Sequence, residues 1–168
     1  MATVVYVEEP RPSSGDAAAR DLERSRASSK LLGGPRFARR ELRTRSDIHQ
    51  ALLGGVPYAS LLYFIANLKV LTEDDLVAVL GISARTLRRH RETPKKPMPA
   101  DLASRAWLFA ETLARACDVF GGQEEAERWM SAPAIGLDGQ RPVNLLRTLQ
   151  GAELVNDFLG RLEYGVYS

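Results

Sequence analysis

From residue 46 to residue 162 the apolar side chains recur three and four positions apart, in runs bounded by glycine or proline. That is the period of helices with one buried face. Ser46 and Asp47 suit the start of a helix carrying Ile48, Leu52 and Leu53, and Gly54 and Gly55 end it. Pro57 fits the first turn of a second, with Leu61, Leu62, Phe64, Ile65 and Leu68 apolar. Thr72 and Asp75 form a weak capping box before Leu76, Val77, Val79 and Leu80. Gly81 stops that helix and Ser83 caps another. Pro94, Pro97 and Pro99 make a stiff connector to a long helix, about Ala100 to Phe120, with Leu102, Ala106, Phe109, Leu113 and Cys117 on related turns. Beyond Gly121 and Gly122 the pattern predicts a short helix from Glu124 to Met130, a loop from Pro133 to Gly139 and a helix from Pro142 to Leu149. Gly151 then separates a last helix, Ala152 to Leu162. No strand pattern follows residue 8, so the fold class is all-α.

Residues 1–46 read differently. Pro10, Pro12, Ser13, Ser14 and Gly15 interrupt them, as do Gly33, Gly34 and Pro35, with a short strand predicted at Thr3 to Val7 and a helix at Asp16 to Arg26. They are expected to form an arm, linker or dimerisation element rather than core. Residues 47–97 and 98–168 then form two helical regions.

Composition narrows the class. Of 168 residues 45% are hydrophobic and 26% charged, ordinary for a soluble domain. Cys117 is the single cysteine, which excludes an intrachain disulfide. Val56 to Leu68 is too short to span a membrane, and the start MATVVYVEEP lacks a basic leader. The expectation is a cytoplasmic protein with no membrane segment. Charge is uneven: ten Lys/Arg against six Asp/Glu in residues 1–46, seven against five in 47–97, six against ten in 98–168. A basic first part and an acidic last part suit two different partners.

The basic residues concentrate where two helices meet. In LTEDDLVAVLGISARTLRRHR, Gly81 permits the positive φ of a tight turn, Leu76, Leu80, Ile82 and Leu87 form the seam, and Ser83 caps the second helix. Counting from Arg85, Arg88 falls at roughly 300°, Arg89 at roughly 40° and Leu87 at roughly 200°. Three arginines thus share one face and the core leucine lies opposite, as a recognition helix in a major groove requires. Arg85, Arg88 and Arg89 can read bases, Ser83 and Thr86 can reach a phosphate or base edge, and Arg91, Lys95 and Lys96 can follow the backbone. The stretch resembles the helix-turn-helix of Xre-like repressors. It departs from it at Val77, where a small residue is usual, and at His90, where an apolar one is commoner.

The C-terminal pattern is more specific. From Ala126 to Ser168 the order W-M, P, G, RPVNLLRT, G, V and then L-x-R-L-E-Y-G-V-Y-S resembles the toxin-binding region of the Xre/MbcA/ParS antitoxins. With the helix-turn-helix region the resemblance spans about 120 residues. It implies an antitoxin, not an enzyme, that neutralises a RES-domain toxin acting on NAD⁺ by hydrolysis or ADP-ribosyl transfer, and that binds operator DNA as a repressor of its own operon. It further implies that the C-terminal tail obstructs the toxin's active site, with Arg161, Glu163, Tyr164, Val166, Tyr167 and Ser168 as the matching residues. A tyrosine can stack where a base would lie, and Glu163 can pair with groups meant for phosphates. A homodimer is expected, because one small recognition helix buries little surface on DNA.

Other chemistry is poorly supported by the sequence, and no cofactor or metal is expected. His49 and His90 lie in different helices, Cys117 sits on an apolar face, and Trp107 and Trp129 read as core. Glu124, Glu125 and Glu127, like Glu73, Asp74 and Asp75, read as first-turn carboxylates that complement a helix dipole. Two alternatives stand beside the antitoxin reading. One is a plain helix-turn-helix regulator whose C-terminal region binds an effector or dimerises. The other is an interaction module with a vestigial helix-turn-helix.

Overall fold

The computed structural model describes residues 14–38 and 41–165. Among them are nine α-helices and no strand: α1 Ser14–Leu31, α2 Arg45–Leu53, α3 Tyr58–Ala66, α4 Glu73–Leu80, α5 Ala84–Arg91, α6 Ala100–Phe120, α7 Gln123–Ser131, α8 Pro142–Leu145 and α9 Leu149–Glu163. Two 3-10 turns, Gly34–Arg36 and Ile135–Leu137, complete the set. No described helix is long and apolar enough to cross a membrane. The strand expected at Thr3 to Val7 lies outside the described residues.

The spine is α6. Ten of its side chains are buried, and the alanines among them let other helices approach closely on several sides. α1, α7 and α9 all pack on it, and α2 and α4 touch its flanks. One continuous core results. It joins Leu32, Phe37 and Leu42 to Leu61, Phe64, Leu76, Leu87, Phe109, Met130, Val143 and Leu159. It crosses both boundaries drawn from the sequence, at 46/47 and at 97/98.

The expectation that residues 1–46 stand apart from the core is therefore corrected for their described part. α1 runs on to Leu31, Leu32 is fully buried, and Phe37 stacks on Trp107 at 5.0 Å. The composition misled because scattered apolar residues on both sides of the Gly-Gly-Pro break, Leu32 before it and Phe37 and Leu42 after it, supply the contact, and such a scatter has no periodicity to read. Deleting residues 1–46 would strip the core, so it would report on folding before it reported on association.

Several helix ends move for identifiable reasons. Thr44, not Ser46, caps α2: its hydroxyl accepts from Asp47 N–H, and the Asp47 carboxylate accepts from Thr44 N–H in return. The bond from Arg43 N–H, followed by those from the Thr44 hydroxyl and N–H, holds the Asp47 carboxyl below the usual range. The predicted helix from Pro142 to Leu149 is only the four residues of α8. Gly151 does not separate helices; it lies buried in the first turn of α9, where Thr148 accepts its N–H. A Cβ on Gly151 would stand 2.1 Å from the Leu145 carbonyl oxygen. The glycine is there because the chain folds back onto its own α8.

Gly151→Ala is accordingly expected to destabilise the fold by about 2 kcal/mol or more, since the clash is with backbone that cannot rotate away. Thermal unfolding should show a midpoint lower by several degrees.

Candidate functional site

Two surfaces collect the residues singled out in the sequence, the first on α4 and α5. Thr72 and Asp75 complete a capping box at the start of α4. Gly81, at φ 66°, turns the chain, and Ser83 caps α5 by accepting from Thr86 N–H at 3.0 Å. Leu76, Leu80 and Leu87 are buried between the helices and the core. Arg85, Arg88 and Arg89 are exposed on the far side, and with Thr86 and Glu92 they line one shallow depression. Val77 and Ile82 pack against the core despite the departure at residue 77.

His90 is buried and stacks face to face on Tyr58, ring centroids 3.7 Å apart at 8°. Burial first, and then the nearby charges of Arg89 and Lys96, lower its pKa below the ordinary histidine value. The ring thus replaces an apolar core residue as a neutral aromatic. Arg91 is already engaged: its guanidinium pairs with Glu73 at the start of α4. Lys95 and Lys96 extend from the connector, whose carbonyls at Pro94 and Lys96 accept from Ala59 and Tyr58 N–H at 2.7 and 3.0 Å.

The second surface is the end of α9. Arg161 is exposed, with its guanidinium 5.6 Å above the Phe158 ring. Tyr164 follows the last turn and is exposed. Glu163 does not face outward: its carboxylate accepts from Arg24 of α1 and Arg115 of α6, each at 3.3 Å. The carboxylate expected to meet a partner's basic groups is held inside the chain instead. Val166, Tyr167 and Ser168 lie outside the described residues.

The spacing did not reveal a third feature, which fixes the approach to α4 from α7. Glu127 is fully buried, not a first-turn surface carboxylate. Its Oε2 accepts from the backbone N–H groups of Lys69, Val70 and Leu71 at 2.7, 2.6 and 2.9 Å, and its Oε1 accepts from Gln123 Nε2 at 2.7 Å. Gln123 Nε2 also donates to the Asn67 carbonyl at 2.9 Å. A signal was present: Glu127 adjoins Ala126 and stands roughly 60° round the helix from Met130, both core residues.

Two arginines then grip α4. Arg141 donates to Asp75 Oδ1 at 3.0 Å and to the Ser131 carbonyl at 2.7 Å, while Arg105 donates to the Leu80 carbonyl at 3.1 Å. Burial alone would raise the Asp75 pKa. The hydrogen bonds from Thr72 and the Arg141 charge outweigh it and hold the carboxyl below its usual range. Cys117 is half-buried and its thiol is pushed up to about 11, chiefly by burial, which leaves it protonated and unreactive at neutral pH.

The sequence profile of the Xre/MbcA/ParS antitoxin C-terminal toxin-binding domain matches residues 115–165. The chain is 38% identical over 95 residues to an antitoxin Xre of Yersinia enterocolitica, covering 56% of this chain and 64% of that one. It is 32% identical over 105 residues to an antitoxin Xre of Photorhabdus laumondii, 62% of this chain and 70% of that one. It is 30% identical over 125 residues to an antitoxin Xre of Pseudomonas putida, 74% and 76%. An all-α chain whose last third carries this domain is of the antitoxin class. It belongs to the Xre/MbcA/ParS antitoxin family.

Glu127→Leu should cost about 3 kcal/mol or more, because three buried N–H groups lose their acceptor together. Glu127→Gln keeps an acceptor and should cost less; denaturant unfolding of both variants checks the order. For His90 the sign follows from its lowered pKa. The unfolded chain takes up a proton below about 6.5, before the folded chain does. Stability from this group is therefore present above that pH and lost as pH falls towards the folded value. His90→Phe keeps the stack on Tyr58 and removes the proton, so its unfolding midpoint should fall less between pH 7 and pH 5 than that of the parent chain.

Proposed function

We propose that this chain neutralises a RES-domain toxin that consumes or transfers from NAD⁺, by placing its C-terminal tail in the toxin's active site, and that it represses its own operon by binding operator DNA through α4 and α5 as a homodimer. The observation that carries the toxin half is the geometry at the end of α9. Glu163 is tied down by Arg24 and Arg115, so Tyr164 leaves the domain from a fixed point with its ring exposed. A tail anchored at its root loses less freedom on entering a pocket than one free along its length. Arg161, Tyr164, Val166, Tyr167 and Ser168 are the residues assigned to the toxin. Glu163 becomes the anchor rather than a contact.

The DNA half is supported by α5. Leu87 and His90 face the core while Arg85, Arg88 and Arg89 face solvent on one side, beside Ser83 and Thr86 at the helix start. The helix N-terminus and those hydroxyls suit a phosphate, and the arginines suit base edges. Lys95 and Lys96 lie further along for the backbone. Arg91 contributes less than its neighbours, because Glu73 already holds it. Two such helices on a two-fold axis would read half-sites one turn of DNA apart.

One co-expression experiment tests both halves. The chain is produced with the product of its adjoining reading frame, beside a version ending at Glu163 and one with Arg85, Arg88 and Arg89 changed to Ala. The intact chain should carry the partner and preserve cellular NAD⁺; the version ending at Glu163 should let NAD⁺ collapse. The arginine variant should still protect NAD⁺ but lose ~1–3 kcal/mol of operator affinity for each base-reading arginine, with a flatter salt dependence. No partner and indifferent NAD⁺ would overturn the toxin half, and unchanged operator affinity would overturn the DNA half.

A further inference from the structure

Large apolar side chains are exposed at five places among the described residues, and four of them, Ile135, Leu149, Leu154 and Tyr164, fall in the last third of the chain. Ile135 is the extreme case, at 97% exposed. Its exposure is not a loose loop turned outward. Ala134 N–H donates to the Gln140 carbonyl, and Leu137 and Gly139 N–H both donate to the Ala134 carbonyl, each at 3.0 Å. Ala134 and Leu137 on either side are buried.

Gly136 presses on the ring of Phe158 so closely that a Cβ there would stand 2.1 Å from Cε2. Phe158 is in turn stacked parallel to Trp129 at 6.0 Å, and Trp129 lies 4.9 Å from Phe120. The turn is thus fixed to an aromatic row that reaches back to α6, and it holds one isoleucine in water.

Beside this knob runs a groove of about 650 Å³ between the turn and α9. Leu154 and Tyr164 line it at 56% and 52% exposed, with Leu137 and Leu145 in its wall and Asp138, Asp157 and Arg161 among its polar lining. An apolar centre with a charged rim is the anatomy of a protein interface. A rigid, exposed aliphatic side chain beside such a groove is the kind of anchor that carries binding energy. The groove runs from the knob to Tyr164, where the tail begins, so whatever takes the tail passes over it.

We infer that Ile135, with Leu154, is the docking face for the toxin, the knob entering an apolar socket on the toxin's surface away from its active site. This rests on the toxin reading above and adds to it a second contact. The tail blocks; the Ile135 face holds. The division has a consequence that can be measured, because a chain without its tail should still bind.

The test uses Ile135→Asp, Ile135→Ala and a chain ending at Glu163, each co-expressed with the product of the adjoining reading frame. Readouts are co-purification, host growth and the unfolding temperature of the free variant. Ile135 is in solvent, so both point variants should unfold at the parent temperature. Ile135→Asp should no longer co-purify or protect growth, and Ile135→Ala should bind at least tenfold more weakly, about 1.4 kcal/mol. The chain ending at Glu163 should co-purify without protecting. Full capture and protection by Ile135→Asp would overturn the docking face and leave the toxin reading standing. So would a change only in the association state of the free chain, which would make the face a self-contact. If the parent chain captures nothing, the toxin reading fails and the docking face falls with it.

Discussion

One buried carboxylate organises this molecule. The segment from Lys69 to Leu71, which brings the chain from α3 to α4, turns three successive backbone N–H groups inward where no helix partner can reach them. Unpaired, they would oppose folding by more than most single contacts favour it. The Glu127 side chain, more than fifty positions further on, meets all three with one oxygen, and charge-assisted bonds of that kind are the stronger sort. The start of α4 is therefore positioned by a residue of α7.

Charge at the far end of the chain is also turned inward. Arg24 and Arg115 share the single carboxylate of Glu163, which binds together α1, α6 and the last turn of α9. An acidic residue near a terminus suggests an outward role, because sequence shows the charge and hides its partners. Here the partners are 139 and 48 positions away. The ion pair orders the point where the tail begins and gives the N-terminal helix a part in it.

Much of the fold was legible because its signals are local. Gly81 and Ser83 turned and capped as their chemistry demands, α6 ran to Phe120 as its periodicity predicts, and Leu87 faced the core opposite Arg85, Arg88 and Arg89. The failures share a different cause. Phe37 packing on Trp107, Gly151 against the Leu145 carbonyl and Glu127 under the α3–α4 segment are all encounters between distant or folded-back chain. Nothing in spacing announces them. Gly151 looked like a break because glycine most often is one; its other use, to let backbone touch backbone, shows only in three dimensions. Of the candidate site, the arginine face was legible from a helical wheel, whereas the pinned turn at Ile135 was not, because it depends on Phe158 lying beneath Gly136.

The grip on α4 bears on how such proteins diversify. Glu127 sets its approach, Arg141 holds Asp75 at its first turn and Arg105 holds the Leu80 carbonyl at its last. All three gripping residues lie beyond residue 100, on the segments that also carry the C-terminal domain. The two halves are therefore not interchangeable cassettes. A recombination joining the first hundred residues of one relative to the remainder of another inherits a working hybrid only if these three partners arrive in register. Lineages of this architecture are expected to change specificity by substituting exposed side chains on an intact frame, rather than by shuffling halves.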